Sequence, residues 1–333
     1  MNFEFPFQEL PAVLRGPRVE RRRVLLGGSA FWGTWVEDGA DAGLLRLDDG
    51  RLLDPNAQVY LPPVEPSKII AVHISYTSRS LETRNKLRPT ETPTYFTKPP
   101  TSLNGHGGHI VKPADCQYLN YEGEYAVVIG RTCRNVTPDE AWDFIEGFCP
   151  ALDMGLQDFR DTDQGSMLRV KGADTLLPIG PGLVRGVNIF EQTLRTYVND
   201  LVVQEAHIGE ETIWGPHYII ADIARHITLV RGDVILMGTP CHSRSMRNTT
   251  PGTFDTMARK RASFSSSSRW ARRPSRRSTA SRRPTLTLRR PTSSLTRSPL
   301  AYISSSMARS RSPRGWLTSG AASRVSTCCW LSV

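Results

Sequence analysis

Glu122 and Glu124 frame a single glycine in the run Y-E-G-E-Y-A-V-V-I-G, residues 121–130. In an extended strand alternate side chains share a face, so the two carboxylates project together. The segment Ala126-Val127-Val128-Ile129 that follows reads as a buried strand. Carboxylates beside so apolar a stretch repel each other, and desolvation sharpens the repulsion. Two arrangements satisfy that constraint: an exposed edge strand with solvated acids, or a cationic partner that holds them. A third acid, Asp153, sits in the apolar run F-C-P-A-L-D-M-G-L-Q-D, residues 148–158. A buried carboxylate needs a partner, which makes Asp153 a natural companion to the pair.

Cations are available nearby in sequence. Lys98, in P-T-Y-F-T-K-P-P, is held between aromatic residues and two prolines, and a binding role is expected for it. Lys171 lies in a turn-rich segment beside small residues, V-K-G-A-D-T. Thr239 of G-T-P follows the buried strand V-I-L-M and offers a hydroxyl at its end. His106 and His109 share G-H-G-G-H, but three glycines remove the rigid spacing a metal pair needs. That loop is expected to pack near a site.

The elements that must position these residues are readable in outline. Residues 68–74 form an apolar strand, followed by a polar helical stretch carrying Arg79, Glu82 and Arg84. Thr137-Pro138-Asp139-Glu140 is a helix start, with Thr as cap and Pro at the first position, and the helix is expected to run to Gly147. A hairpin turns at Asn199-Asp200, a helix runs over residues 215–224, and a buried strand over 234–237. Residues 1–65 hold short strands at 31–36 and 44–47, broken by Asp-Gly turns, and end in a Pro-rich link.

Net charge of +10 over 333 residues misleads as an average. All 32 acids lie at or before Asp255, whereas 17 of the 42 basic residues lie after it. Residues 1–255 therefore carry −7 and residues 256–333 carry +17, two compositions joined end to end. The cysteines at 116, 133, 149, 241, 328 and 329 form no C-x-x-C pair, which suits a reducing, cytoplasmic setting. No apolar run is long enough to cross a membrane, and no secretory signal is readable.

Taken in order, K-I-I-A-V-H-I-S-Y, Y-F-T-K-P, Y-E-G-E-Y-A-V-V-I-G, L-D-M-G-L-Q-D, V-K-G-A-D-T, P-I-G-P and R-G-D-V-I-L-M-G-T-P resemble the fumarylacetoacetate hydrolase family. The branch is most similar to bacterial isomerases and decarboxylases of homoprotocatechuate breakdown, which act on 2-hydroxymuconate-type dienoates. The resemblance runs from about Lys68 to Gly252. It implies an α+β, mostly β fold, a mixed β-roll with flanking helices, here preceded by the small β-rich N-terminal piece. The implied organisation is 1–65 for that piece, 66–255 for the catalytic domain and 256–333 for a basic Ser/Arg/Pro-rich tail. It further implies Mg²⁺ or Mn²⁺ on Glu122, Glu124 and Asp153, a small 2-oxo or 2-hydroxy acid substrate, and a homodimer. Lys171 matches the family's active-site lysine, while Lys98 and Thr239 would hold the substrate's carboxylate end.

Two departures qualify the resemblance. Hydrolytic and decarboxylating members often carry N-Y-x-x-H-x-x-E; here the stretch is S-Y-T-S-R-S-L-E, which keeps Glu82 but puts Arg79 at the histidine. An arginine stays protonated and grips carboxylates rather than activating water, so hydrolysis of acylpyruvate-like diketones is the weaker expectation. Gln157 stands where an arginine often follows the metal aspartate. After residue 255 the V/E-rich closing strands of the family give way to acid-free sequence without helix or strand period. An out-of-frame translation explains that composition and would leave the product truncated and inactive. A nucleic-acid-binding basic arm is the alternative, disfavoured by Trp270, Trp316 and Cys328-Cys329-Trp330, so nucleic acid is not expected as a partner.

Overall fold

The computed structural model describes residues 10–83, 92–199, 201–242, 244–247 and 327–332. The chain divides into two units, 1–255 with 324–333, and 256–323. The second lies outside the described residues, as do Arg84, Asp200 and the P-G segment at 251–252. Among the described residues, no helix is long and apolar enough to cross a membrane.

Five strands open the first unit: β1 (Val19–Leu26), β2 (Ser29–Trp35), β3 (Leu45–Leu47), β4 (Leu52–Leu53) and β5 (Val59–Leu61). After the Pro-rich link come β6 (Ile69–Val72), the short helix α1 (Thr77–Glu82), β7 (Tyr95–Lys98), β8 (Leu103–Gly105), β9 (Tyr118–Tyr121) and β10 (Gly123–Ile129). Helix α2 (Pro138–Ala141) starts with a complete capping box between Thr137 and Glu140. It does not reach Gly147 as expected, because Ile145 already belongs to β11 (Ile145–Leu152). There Gly147 lies so close to a neighbouring backbone that a Cβ would stand 2.6 Å from the Val184 carbonyl oxygen. β12 (Gly155–Leu156), α3 (Leu168–Lys171), β13 (Leu177–Ile179) and β14 (Gly182–Arg185) follow. The hairpin of β15 (Thr193–Val198) and β16 (Leu201–His207) leads to α4 (Ile208–Glu211), α5 (Pro216–Ala224), β17 (Val234–Leu236) and β18 (Arg244–Arg247).

These strands build a large mixed sheet in the order β4-β3-β2-β1-β14-β11-β10-β17-β6-β7. The N-terminal strands are not a separate layer, since β1 pairs antiparallel with β14 and joins them to the same sheet. β6 and β17 run parallel, with Ile69 opposite Val234. Asp233, 1 % exposed, ties that pair together by accepting from Lys68 Nζ at 2.5 Å, Ser67 Oγ at 2.7 Å and the Val230 amide at 2.7 Å. β10, central and buried throughout, feeds both faces of the sheet. Tyr125, Val127 and Ile129 pack on one face with Phe148, Leu152 and Ile235. Ala126 and Val128 pack on the other with Ile69, Ala71, Phe96 and Leu236. This two-sided burial is what a strand with period-2 apolar residues on each face dictates.

Two smaller sheets flank the large one, β12-β9-β18 and β16-β15-β19, the last strand being β19 (Thr327–Ser332). β19 lies within the tail expected to lack regular structure, yet it pairs antiparallel with β15, Thr193 opposite Ser332. Its sequence T-C-C-W-L-S has β-branched and aromatic content that an open strand edge accepts. The G-H-G-G-H loop packs elsewhere than expected. His106 meets the Tyr60 ring edge-on at 5.5 Å, and its charged neighbours are Arg22 and Glu20, not the acids of the E-x-E strand.

Candidate active site

The ribbon β9–β10 runs beside β12–β11, and both strands change sheet at the same level. Glu122 is the single residue between β9 and β10, and Asp153 follows directly on β11. The two positions are joined through the Asp153 amide, which donates to the Glu122 carbonyl at 2.8 Å. Glu124 projects two residues further along β10. Ligand atoms of Glu122, Glu124 and Asp153 all lie within 4.8 Å of one another. β10 is interior, between β11 and β17, so the solvated-edge alternative does not apply.

Gly123 between the two glutamates is required by packing. A Cβ there would sit 1.7 Å from Thr196 Oγ1 on β15. Its amide donates to Gln204 Oε1 at 2.9 Å, and Gln204 Nε2 donates to Thr239 Oγ1 at 2.9 Å and to the carbonyls of Pro240 and Cys241. One buried glutamine on β16 thereby links the E-x-E strand to the G-T-P loop. Gly238 has φ of +82°, and its amide donates to Glu124 Oε2 at 2.7 Å. A side chain at Gly238 would also strike Ser75 Oγ at 2.7 Å.

Both lysines converge on the acids. Lys171 ends α3, a one-turn helix where a turn was expected; Asp163 Oδ2 accepts from the amides of Arg169 at 2.8 Å and Val170 at 3.3 Å and so caps its first turn. The Lys171 ammonium lies 2.5 Å from Glu122 Oε2 and 2.7 Å from Asp153 Oδ2, bridging two of the three carboxylates. Lys98, with a wholly buried side chain at the end of β7, donates to Asp153 Oδ1 at 2.7 Å and to the Lys171 carbonyl at 2.5 Å. The expected contact of Lys98 with a substrate carboxylate would have to use the third N–H of an ammonium that already donates to Asp153 and the Lys171 carbonyl. Thr239 is likewise buried, its oxygen accepting from Gln204.

Burial works against every charge here, and the partners decide the outcome. For Asp153, burial is outweighed by Lys171 and Lys98, which hold its carboxyl below the usual range. For Lys171, burial is outweighed by Asp153 and Glu122, which keep the ammonium charged well beyond neutral pH. Lys98 is pushed down by burial more than Asp153 pulls it up. Glu124 is pushed well above the ordinary carboxylate range by burial, then by the charges of Asp153 and Glu122.

The donor set fits a hard divalent cation. It consists of carboxylate oxygens, and Asp153 Oδ2 is buried with an ion pair but no hydrogen bond of its own. Three acids against two lysines leave one excess negative charge, and a divalent ion would convert that into one excess positive charge facing an anionic ligand. The crowding that raises Glu124 would be relieved by the same ion.

Arg79 and Glu82 pair at 2.6 Å on α1, and Arg79 Nη2 lies 3.7 Å from Glu122 Oε1, so α1 borders the acids. The backbone amide of His242 donates to Glu82. Gln157 Nε2 lies 3.5 Å from where a Cβ on Gly155 would stand, beside Lys171. Three residues at the site escaped the sequence reading. Asn120, two residues before Glu122, donates to its Oε1 at 3.0 Å. Gln204 is the buried linker described above. His73 shares the face of Ile69 and Ala71 and packs 5.3 Å from the Phe96 ring. Period-2 alternation marks Asn120 and His73; Gln204 was signalled only as a polar residue beside buried Ala206 in an alternating strand.

This fold and this acid cluster define the chain's class. The family described as fumarylacetoacetate (FAA) hydrolase, C-terminal, matches residues 68–263, and the chain belongs to it. Members of this enzyme family act on small molecules. An uncharacterized protein of Archaeoglobus fulgidus is 36 % identical over 66 % of this chain and 84 % of its own length. The crystal structure of 5-carboxymethyl-2-hydroxymuconate delta-isomerase from Mycobacterium smegmatis is 30 % identical, covers 68 % of this chain and 90 % of its own, and superposes with a TM-score of 0.61. The 4-hydroxyphenylacetate degradation bifunctional isomerase/decarboxylase of Salmonella dublin is 31 % identical over 55 % of this chain, a match that spans 42 % of that larger protein.

Proposed function

We propose that the protein is a divalent-metal-dependent enzyme that isomerises or decarboxylates 2-oxo or 2-hydroxy dienoic acids of aromatic catabolism. The observation that carries this reading is the trio of carboxylates within 4.8 Å, two of them bridged by Lys171. Glu122, Glu124 and Asp153 would hold Mg²⁺ or Mn²⁺. Such an ion, when bound, supplies Lewis-acid stabilisation for the negative oxygen that develops as a C–H or C–C bond next to a carbonyl breaks.

The chain's own residues do the rest. Lys98 and Asn120 orient Asp153 and Glu122. Lys171, positively charged in a buried setting, stabilises charge growing on the substrate. Arg79, steadied by Glu82, offers a planar fork to a substrate carboxylate, with Gln157 and the Thr239 hydroxyl supporting the substrate on the other sides. Glu82 anchors that arginine rather than working with a histidine, which is why tautomerisation is favoured over hydrolysis. The reading includes a cytoplasmic homodimer, which sedimentation in solution tests.

The decisive experiment is an assay of the full chain against 2-hydroxymuconate analogues and acylpyruvates with Mg²⁺, Mn²⁺ or excess EDTA. Loss of dienol absorbance that needs the metal and vanishes in Glu122→Ala is expected. Undiminished turnover in EDTA would sink the reading.

A further inference from the structure

Proton transfer along a conjugated acid needs a group that can both take and give a proton, and most polar groups around the acids are already committed. Lys98 is locked on Asp153 and a carbonyl, and Lys171 on Glu122 and Asp153. Arg79 is a permanent cation paired with Glu82, and Glu82 also accepts from the His242 amide. His73 differs. Among the described residues, its ring nitrogens have no hydrogen-bond partner, although its backbone amide is bonded to Thr94.

Its position follows from strand register. Ala71 is opposite both Leu236 and Phe96, and Ile69 opposite Lys98. Alternation then places His73, two residues past Ala71, on the face that carries Glu124, Phe96 and Lys98. The imidazole lies 5.3 Å from the Phe96 ring, and that ring lies 5.9 Å from Lys171 Nζ. The same row crosses the sheet toward the acids: Leu236, opposite Ala71, is also opposite Ala126, two residues past Glu124 on β10. Partial burial favours the neutral ring, the form that accepts a proton.

We propose that His73 is a catalytic residue of this site, contacting the substrate and carrying the proton that migrates along its carbon chain. This deepens the proposed function and rests on it. One ring nitrogen takes the proton from the carbon next to the carbonyl, leaving the C–H electron pair in the enolate. The resulting imidazolium returns that proton to a carbon further along the conjugated system, so the step is a net isomerisation with no oxidant or co-reactant. The sequence places this imidazole six residues before Arg79, directly after β6 rather than on α1.

The test uses the full chain with ¹⁵N-labelled histidine, Mg²⁺, and oxalate as a probe with two adjacent anionic oxygens. Calorimetry reports whether oxalate binds, and the His73 ring signals are identified by their absence in His73→Gln. Oxalate binding that shifts those signals is expected. In turnover, His73→Gln should lower kcat by about 10²–10⁴-fold while KM stays within about threefold. Binding that leaves the His73 signals unmoved, or a His73→Gln enzyme with kcat within about threefold of the parent, overturns the inference alone. No metal-dependent oxalate binding at all removes the reading of the acid cluster and the inference with it. Shifted His73 signals in an enzyme that ignores every dienoate would instead leave His73 facing the ligand and refute only the substrate class.

Discussion

Replacing Lys98 with methionine would remove one of the two cations that hold Asp153 while leaving most of the side-chain volume in place. Asp153 is wholly buried and Lys98 equally so, their charged atoms 2.7 Å apart. Breaking a buried pair from one side typically costs about 3–5 kcal/mol, because the remaining charge is stranded. Lys171 still reaches Asp153 Oδ2 at 2.7 Å, and burial already pulls the Lys98 pKa down, so the low end, about 3 kcal/mol, is the expectation. For a domain of this size that is roughly 6–12 °C in Tm. Thermal unfolding of the full chain in EDTA measures it. Adding Asp153→Asn to Lys98→Met should recover a good part of the loss, since both charges are then gone, and the double-mutant cycle should show coupling above about 1 kcal/mol. A single variant within about 1 kcal/mol of the parent, with substrate KM raised instead, would refute the clamp and return Lys98 to the substrate.

Other outcomes follow from the same geometry. Gly123→Ala should lose about 1–3 kcal/mol and part of its activity, because Thr196 on β15 must move away from the new methyl, with Thr196→Ala in the same chain recovering some of the loss by urea denaturation. Glu124, whose folded pKa is raised, favours the folded state below its ordinary value of 4.5, and that contribution fades as pH climbs through the raised value. In EDTA, Glu124→Gln should therefore unfold at higher temperature than the parent at pH 8, the gap closing toward pH 4.5, and should lose the Tm rise that Mg²⁺ gives the parent. A parent more stable than Glu124→Gln at pH 8 in EDTA would contradict this. For the basic segment we propose a shifted reading frame: sequencing the DNA across codons 245–260 should reveal a single-base change that restores V/E-rich strands, and finding none would end the idea.

The acids were visible from sequence because type and spacing sufficed. Glu122 and Glu124 alternate on one strand, and Asp153 interrupts an apolar run. Lys98 stands out by its rigid neighbours, but its pairing with Asp153 is not legible, since only the fold brings residue 153 to residue 98. α3 read as a turn because its capping acid, Asp163, stands outside the helix rather than immediately before it. The end of α2 was overrun because Ile145 and Phe144 suit a helix as well as a strand, and the pairing of Ile129 with Ile145 decided between them. His73 and Gln204 carry no motif of their own. Their meaning comes from the pairings of β6 with β7 and of β15 with β16, which no local pattern specifies.

The parallel pairing of β6 with β17 also bears on how the protein becomes active. Lys68 and Asp233 are 165 positions apart in the chain, and the Gly238 amide that holds Glu124 comes 114 positions after it. Contacts of such sequence separation close large loops and form late, after local hairpins such as β15–β16. A ribosome must release nearly all of residues 68–238 before the acid cluster can be completed. Catalytic competence should therefore arrive in one late step of folding, with the nascent acids left dispersed until the final central strand docks.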